Sequence, residues 1–164
     1  MTLPGDRPTP HFSWGEMTAT SHADLEAANR MEAMPFALAL AATAAMLEVV
    51  RSRFDRPIRV HSGFRGPSLN AAVGGSATSQ HLRGEAADFS IRGVRLEDVA
   101  DWIVDDSGLA YGQVLIEGRG GVPSWIHLSL GEPWRARERC REAGNNLTGT
   151  VRITSRDGLP IRLV

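Results

Sequence analysis

At 164 residues the chain is long enough for one domain with a single sizeable core. Hydrophobic residues make up 42% and charged residues 23%, a balance that excludes a disordered or fibrous chain. Its 18 basic and 19 acidic side chains leave no cationic footprint for nucleic acid, and a lone cysteine, Cys140, excludes an intrachain disulfide and a Cys-rich zinc cage.

In chain order, "MTLPGDRPTPHFSWGEM" has no basic region followed by an apolar run, so no secretory signal is read there. "SHADLEAANRMEAM" (21–34) pairs a capping residue with good helix formers and predicts a short helix. Pro35 suits the first turn of the next, longer helix, where its missing N–H costs little. The apolar run "MPFALALAATAAMLEVV" (34–50) falls short of the roughly 20 strongly apolar residues of a membrane span and is read as a buried core helix, with no membrane partner. "PIRVHSGFRG" (57–66) reads as a short strand entering a loop at Gly63 and Gly66. Residues 66–84 are rich in Gly, Ser and Ala, a partly helical turn followed by irregular chain. "EAADFSIRG" (85–93) alternates as a strand, and "RLEDVADWIVDD" (95–106) carries Leu96, Val99, Trp102 and Ile103 at helical spacing.

"YGQVLIEG" (111–118) and "SWIHLSLG" (124–131), joined by "RGGVP", predict a hairpin. Beyond a charged turn or short helix around Trp134 and Cys140, "TVRITSRDGLPIRLV" predicts a second hairpin turning near Asp157 and Gly158. Mixed helices and antiparallel strands give an α+β fold, a small antiparallel sheet flanked by helices. No repeat or linker interrupts it, so 1–164 is read as a single domain, with 132–164 a C-terminal hairpin extension.

Without disulfide or thiolate chemistry, a metal site must use His and carboxylate. In "SQHLRGEAADF" (79–89), strand alternation sets Ala86, Asp88 and Ser90 on one face and Ala87, Phe89 and Ile91 on the other. Asp88 is thereby expected to point away from the apolar face. Gly84 permits a turn close enough for His81 and Asp88 to meet, although such a pair alone is more often an ordinary hydrogen-bonded loop. In "SWIHLSL", Trp125, His127 and Ser129 share the face opposite Ile126, Leu128 and Leu130. Two imidazoles and a carboxylate make a three-ligand set, and zinc so held keeps a fourth position for water or substrate. If Glu117 and Trp125 flank the hairpin turn, Glu117 becomes a diagonal neighbour of His127, about 7 to 8 Å away, a candidate general base. Arg65 could stabilise an oxyanion or grip a carboxylate. His11, His22 and His61 are read as structural or exposed.

Together these segments resemble the zinc D-Ala-D-Ala carboxypeptidase family of peptidoglycan peptidases, which includes phage endolysins and shares its fold with the hedgehog signalling domain. Its Ser-x-His-x-x-Gly-x-Ala-x-Asp signature is matched by Ser79, His81, Gly84, Ala86 and Asp88, its Trp-x-His by Trp125 and His127, and its Ser-Gly-Phe/Tyr-Arg by Ser62, Gly63, Phe64 and Arg65. The resemblance covers roughly residues 11–131. It implies Zn2+ on His81, Asp88 and His127, with Arg65 facing a cell-wall stem peptide whose peptide bond is hydrolysed. Ser79, Trp125 and Gln113 are assigned to the substrate side. Several relatives have a catalytic acidic residue three positions before the last histidine, where this chain has Ser124, so Glu117 is taken as the base instead. The resemblance leaves the bond open among D-Ala-D-Ala carboxypeptidase, L-alanyl-D-glutamate endopeptidase and other stem-peptide activities. It fits a monomer made in the cytoplasm and acting on the wall, as a phage lysin does. The alternative is a non-catalytic zinc-containing phage structural or wall-binding module.

Overall fold

The computed structural model describes residues 5–119 and 122–131, together with the strand backbone of Val151–Arg152 and Arg162–Leu163. The readings at Trp134, Cys140 and the turn near Asp157 and Gly158 lie outside the described residues. Two compact units can be distinguished, Met1–Glu48 with Val60–Ala87, and Val49–Arg59 with Asp88–Val164.

The first unit opens with α1 (Trp14–Thr18), a five-residue helix started by a reciprocal cap. The Ser13 hydroxyl accepts the Glu16 N–H at 3.2 Å, and the Glu16 carboxylate accepts the Ser13 N–H at 2.8 Å. Trp14 and Met17 then enter the core beside Phe12. Helix α2 (Glu26–Glu32) starts later than the position of Ser21 predicts. A turn closed by Leu25 N–H to His22 O comes first, and Leu25 holds the cap position without a side-chain bond. A 3-10 turn, Met34–Phe36, contains Pro35 and leads into α3 (Ala37–Phe54), and the short α4 (Pro67–Ala72) lies later in the same unit.

The reading of α3 as a buried core helix needs correction. It buries Leu40, Ala44, Leu47 and Val50, whose spacing forms one face, but leaves Leu38 87% and Val49 42% exposed. With the preceding turn, this helix is long and apolar enough to cross a membrane, and a third of its most apolar 18-residue window is buried. An Ala-rich run lacks the polar face that would show in sequence which side meets solvent. The N-terminal segment is tied to α3 at Glu48, whose carboxylate accepts both the backbone N–H and the imidazole N–H of His11 at 2.8 Å. Burial alone would raise the Glu48 pKa. The two bonds from His11 outweigh it and hold the pKa below the usual glutamate value.

In the second unit, α5 (Leu96–Asp105) buries Val99, Ala100 and Ile103, and Trp102 meets the Phe54 ring edge-on at 5.7 Å. The sheet order is β1-β2-β4-β3-β5-β6, where β1 is Ile58–Ser62, β2 Ala86–Ile91, β3 Tyr111–Arg119, β4 Val122–Leu130, β5 Val151–Arg152 and β6 Arg162–Leu163. The pairs β3/β4, β3/β5 and β5/β6 are antiparallel. With five α-helices among the described residues and this sheet, the fold is α+β. In β4, Ile126, His127, Leu128 and Ser129 are all buried, and β2 is buried at every position except Ser90. Both faces of β2 are therefore covered, and alternation does not carry Asp88 to solvent.

Candidate metal centre

His81 sits in a one-turn 3-10 helix, Gln80–Arg83, that precedes β2. The Ser79 hydroxyl caps it by accepting the His81 N–H, a long bond of 3.4 Å, so this oxygen has a local task. Gly84 ends the turn at φ +68°, the left-handed region where a Cβ is costly, and turns the chain into the strand that carries Asp88. His81 is fully buried, and its Nδ1 donates to the Gly63 carbonyl at 2.6 Å. Because a carbonyl can only accept, the neutral ring keeps its lone pair on Nε2. A metal-ligating imidazole is commonly oriented by such a backbone bond. Gly63 is required at its own position, since a Cβ there would collide with the Met17 carbonyl.

Asp88 and His127 are also buried, and His127 Nδ1 donates to Asp88 Oδ1 at 2.9 Å. His81, Asp88 and His127 each offer one ligand atom, and these atoms lie within 4.8 Å of one another. The geometry thus brings together the three residues singled out by the motifs. Two neutral imidazoles and a carboxylate suit zinc, and a three-donor set leaves a coordination position for water or substrate. Among the described residues no fourth His, Cys, Asp or Glu belongs to this group.

On the hairpin, Glu117 pairs with Trp125 and Leu115 with His127, so Glu117 is the diagonal neighbour of His127 on the adjacent strand. The Trp125 indole N–H donates to Glu117 Oε2 at 3.0 Å. At least part of Trp125 is therefore occupied in holding this carboxylate. Gln113 donates its backbone N–H to the buried Ser129 hydroxyl at 2.9 Å, and its side chain is half-buried. Ser124 is exposed, its hydroxyl bonded to the Val122 carbonyl. His61 is exposed, His22 half-buried, and His11 is the Glu48 partner.

Arg65 is half-buried in the loop after β1, and its backbone N–H donates to the His81 carbonyl at 3.1 Å. A residue that the motifs do not reveal holds this loop. Asn29 is the one buried residue of α2, and its side chain bonds to Phe64 O and Gly66 N, on either side of Arg65. Nothing in "EAANRME" marks it, because its partners lie some 35 residues away.

A family model described as Peptidase M15 matches residues 10–129. A stretch of 35 residues is 49% identical to the zinc D-Ala-D-Ala carboxypeptidase of Streptomyces albus G. That alignment covers 21% of this chain and spans 14% of the length of that relative.

Proposed function

The chain belongs to the peptidase M15 family, and from that premise we propose that it is a zinc peptidase hydrolysing a peptide bond in the stem peptide of peptidoglycan. The observation that carries this reading is the buried group of His81, Asp88 and His127, with ligand atoms within 4.8 Å of one another. The short stretch shared with a zinc D-Ala-D-Ala carboxypeptidase supports both the metal and the substrate class.

His81, Asp88 and His127 would hold the zinc. When bound, it supplies Lewis acidity, polarising a carbonyl and making water a competent nucleophile near neutral pH. The remaining work falls to the chain. The Gly63 carbonyl keeps the His81 ring in one tautomer and orientation. Glu117 takes a proton from the attacking water as its oxygen bonds to the scissile carbonyl carbon. It returns that proton to the amine nitrogen as the C–N bond breaks, so one carboxylate serves as base and then acid. The Trp125 N–H fixes Glu117 Oε2 and leaves Oε1 for the proton. Arg65 pairs with developing negative charge or with a substrate carboxylate. Ser79 and Gln113 complete the substrate side, and the protein acts as a monomer on the wall after synthesis in the cytoplasm, as a lysin does.

The test is digestion of purified peptidoglycan by the zinc-loaded protein, with the muropeptides resolved by mass spectrometry. The expected products are stem peptides cut at one bond, and their masses identify that bond. Intact muropeptides across several wall chemistries would refute the enzyme and favour a non-catalytic zinc-containing wall-binding or phage structural module.

A further inference from the structure

Besides the Gly66 carbonyl, which accepts the Asn70 N–H at 2.8 Å inside the following helix, five hydrogen bonds hold the backbone of the loop Gly63–Gly66. The Gly63 carbonyl accepts from His81 Nδ1 at 2.6 Å, and Phe64 N–H donates to Met17 O at 2.8 Å. The Phe64 carbonyl accepts from Asn29 Nδ2 at 3.1 Å, Arg65 N–H donates to His81 O at 3.1 Å, and Gly66 N–H donates to Asn29 Oδ1 at 2.7 Å. Asn29 supplies two of the five, one immediately before Arg65 and one immediately after it. Its Nδ2 also donates to Thr18 O at 2.8 Å, which anchors the amide to the end of α1. Asn29 is 1% exposed and Phe64 is 1% exposed, with the Phe64 ring stacked on Phe36 at 5.5 Å. Water therefore has little access to replace these bonds.

The chemistry explains why an amide occupies this position. The loop presents one acceptor, the Phe64 carbonyl, and one donor, the Gly66 N–H. With the Thr18 carbonyl, the site asks for two donors and one acceptor on one planar group, a set that only the amides of Asn and Gln provide. A carboxylate would keep the bond to Gly66 and set a charged oxygen against the Phe64 and Thr18 carbonyls. An apolar residue would leave a buried donor and acceptor unmet. A helix otherwise exposed along its length thus spends its one buried position on a polar side chain.

We propose that Asn29 is a positioning residue of the reaction: by bracketing the backbone on both sides of Arg65, it sets where the guanidinium meets the substrate. This rests on the reading of Arg65 as substrate-facing. Arg65 has a long side chain, and a small displacement of its backbone moves the charged head further, where misplacement by about 1 Å can cost on the order of a hundredfold in rate.

The experiment compares the full zinc-loaded chain with Asn29→Asp, Asn29→Ala, Arg65→Ala and the double variant Asn29→Asp/Arg65→Ala on one muropeptide substrate. The expected result is a loss in kcat/KM of about ten- to hundredfold for Asn29→Asp, split between kcat and KM as in Arg65→Ala. The double variant should be no worse than Arg65→Ala alone, because a residue acting through Arg65 has nothing left to position. Two readings need no turnover. Zinc affinity of Asn29→Asp should stay within about threefold of the parent, since a change in an outer partner of a ligand costs more than that. Amide hydrogen exchange of Asn29→Asp should accelerate at residues 64–66 and not along β3 and β4.

Additive losses in the double variant, or losses that track zinc occupancy, would make Asn29 a merely structural residue. Normal turnover in Asn29→Asp beside an impaired Arg65→Ala would overturn the proposal alone. Full activity in Arg65→Ala would overturn the reading of Arg65 and the proposal with it. If Asn29→Ala does not fold, Asn29→Asp still decides, and unchanged exchange at 64–66 in Asn29→Asp removes the bracket whatever the activity of the parent.

Discussion

Replacing Trp125 with Phe keeps an aromatic ring at the same strand position and deletes one hydrogen-bond donor. That donor holds Glu117 Oε2 at 3.0 Å. A hydrogen bond to a charged group contributes about 1.5 to 3 kcal/mol, and both partners here are half-buried, so the lower figure applies. About 1.5 kcal/mol expressed in the transition state corresponds to roughly a tenfold change in rate. If Trp125 acts by fixing the base, kcat for Trp125→Phe should fall about tenfold with KM nearly unchanged. Glu117→Gln, which removes the proton acceptor, should lower kcat by about 10²- to 10⁴-fold. Combining the two should add little to the loss from Glu117→Gln, because the indole then has no charged base to hold. Steady-state kinetics on a defined muropeptide, with zinc content checked for each variant, measures all three. A Trp125→Phe protein with normal kcat and raised KM would refute this reasoning and make Trp125 a binding surface for substrate. Full activity in Glu117→Gln would refute the base assignment itself.

Zinc at a hundredfold excess over its dissociation constant should stabilise the native state by about 2.7 kcal/mol, or roughly 5 to 10 °C in Tm. Alanine at His81, Asp88 or His127 should abolish that shift in a thermal melt, and a retained shift in any one would remove that residue from the ligand set. The Glu48 carboxylate titrates below its usual value of 4.5, so its contribution is fully present above that pH and is lost as pH falls through the lower folded value. Glu48→Gln should therefore destabilise by on the order of 1 kcal/mol at pH 7, with the difference shrinking toward pH 3 in urea unfolding. Ser124→Ala should leave kcat, KM and zinc affinity unchanged and alter stability by less than about 0.5 kcal/mol, since the side chain is exposed.

The hairpin and its register are legible because alternation is strong on both strands and the turn between them is short. Letting Glu117 and Trp125 flank the turn gives the pairing that the ladder has, but the strands run on to Arg119 and Val122 through a bulge at Ser124 that alternation alone does not announce. The His81 and Asp88 motif is legible as a spacing. Its surroundings are not, because a strand covered on both faces and a strand with one wet face can share the same local pattern. Helix α1 escapes the sequence for a different reason. Five residues are too few for a periodic signal, although "SWGE" contains the capping box that starts it. Asn29 is the hardest case. Its value lies in acceptors and donors brought to it by the fold, and a single Asn in a helix reads as a weak helix former and nothing more.

On the proposed function, the position three before His127 is the reason for seeking the base across the ladder. Glu117 pairs with Trp125 and Gly118 with Pro123, so Ser124 is the extra residue of a β-bulge. A bulge re-aims its side chain, and here the aim is outward: Ser124 is exposed, and its hydroxyl turns back to the Val122 carbonyl. A serine hydroxyl is neither a base nor an acid of useful strength near neutral pH, so on the proposed reading Ser124 does not replace a carboxylate. Glu117 stays on the regular part of the ladder, next to the strand position that carries His127, and Trp125 holds one of its oxygens. A carboxylate fixed by a strand neighbour loses less freedom on reaching the transition state than one on a bulge. The proposed reaction asks for an acid-base group within reach of His81, Asp88 and His127, and on that proposal a cross-strand diagonal offers one as a position on the strand of the histidine would.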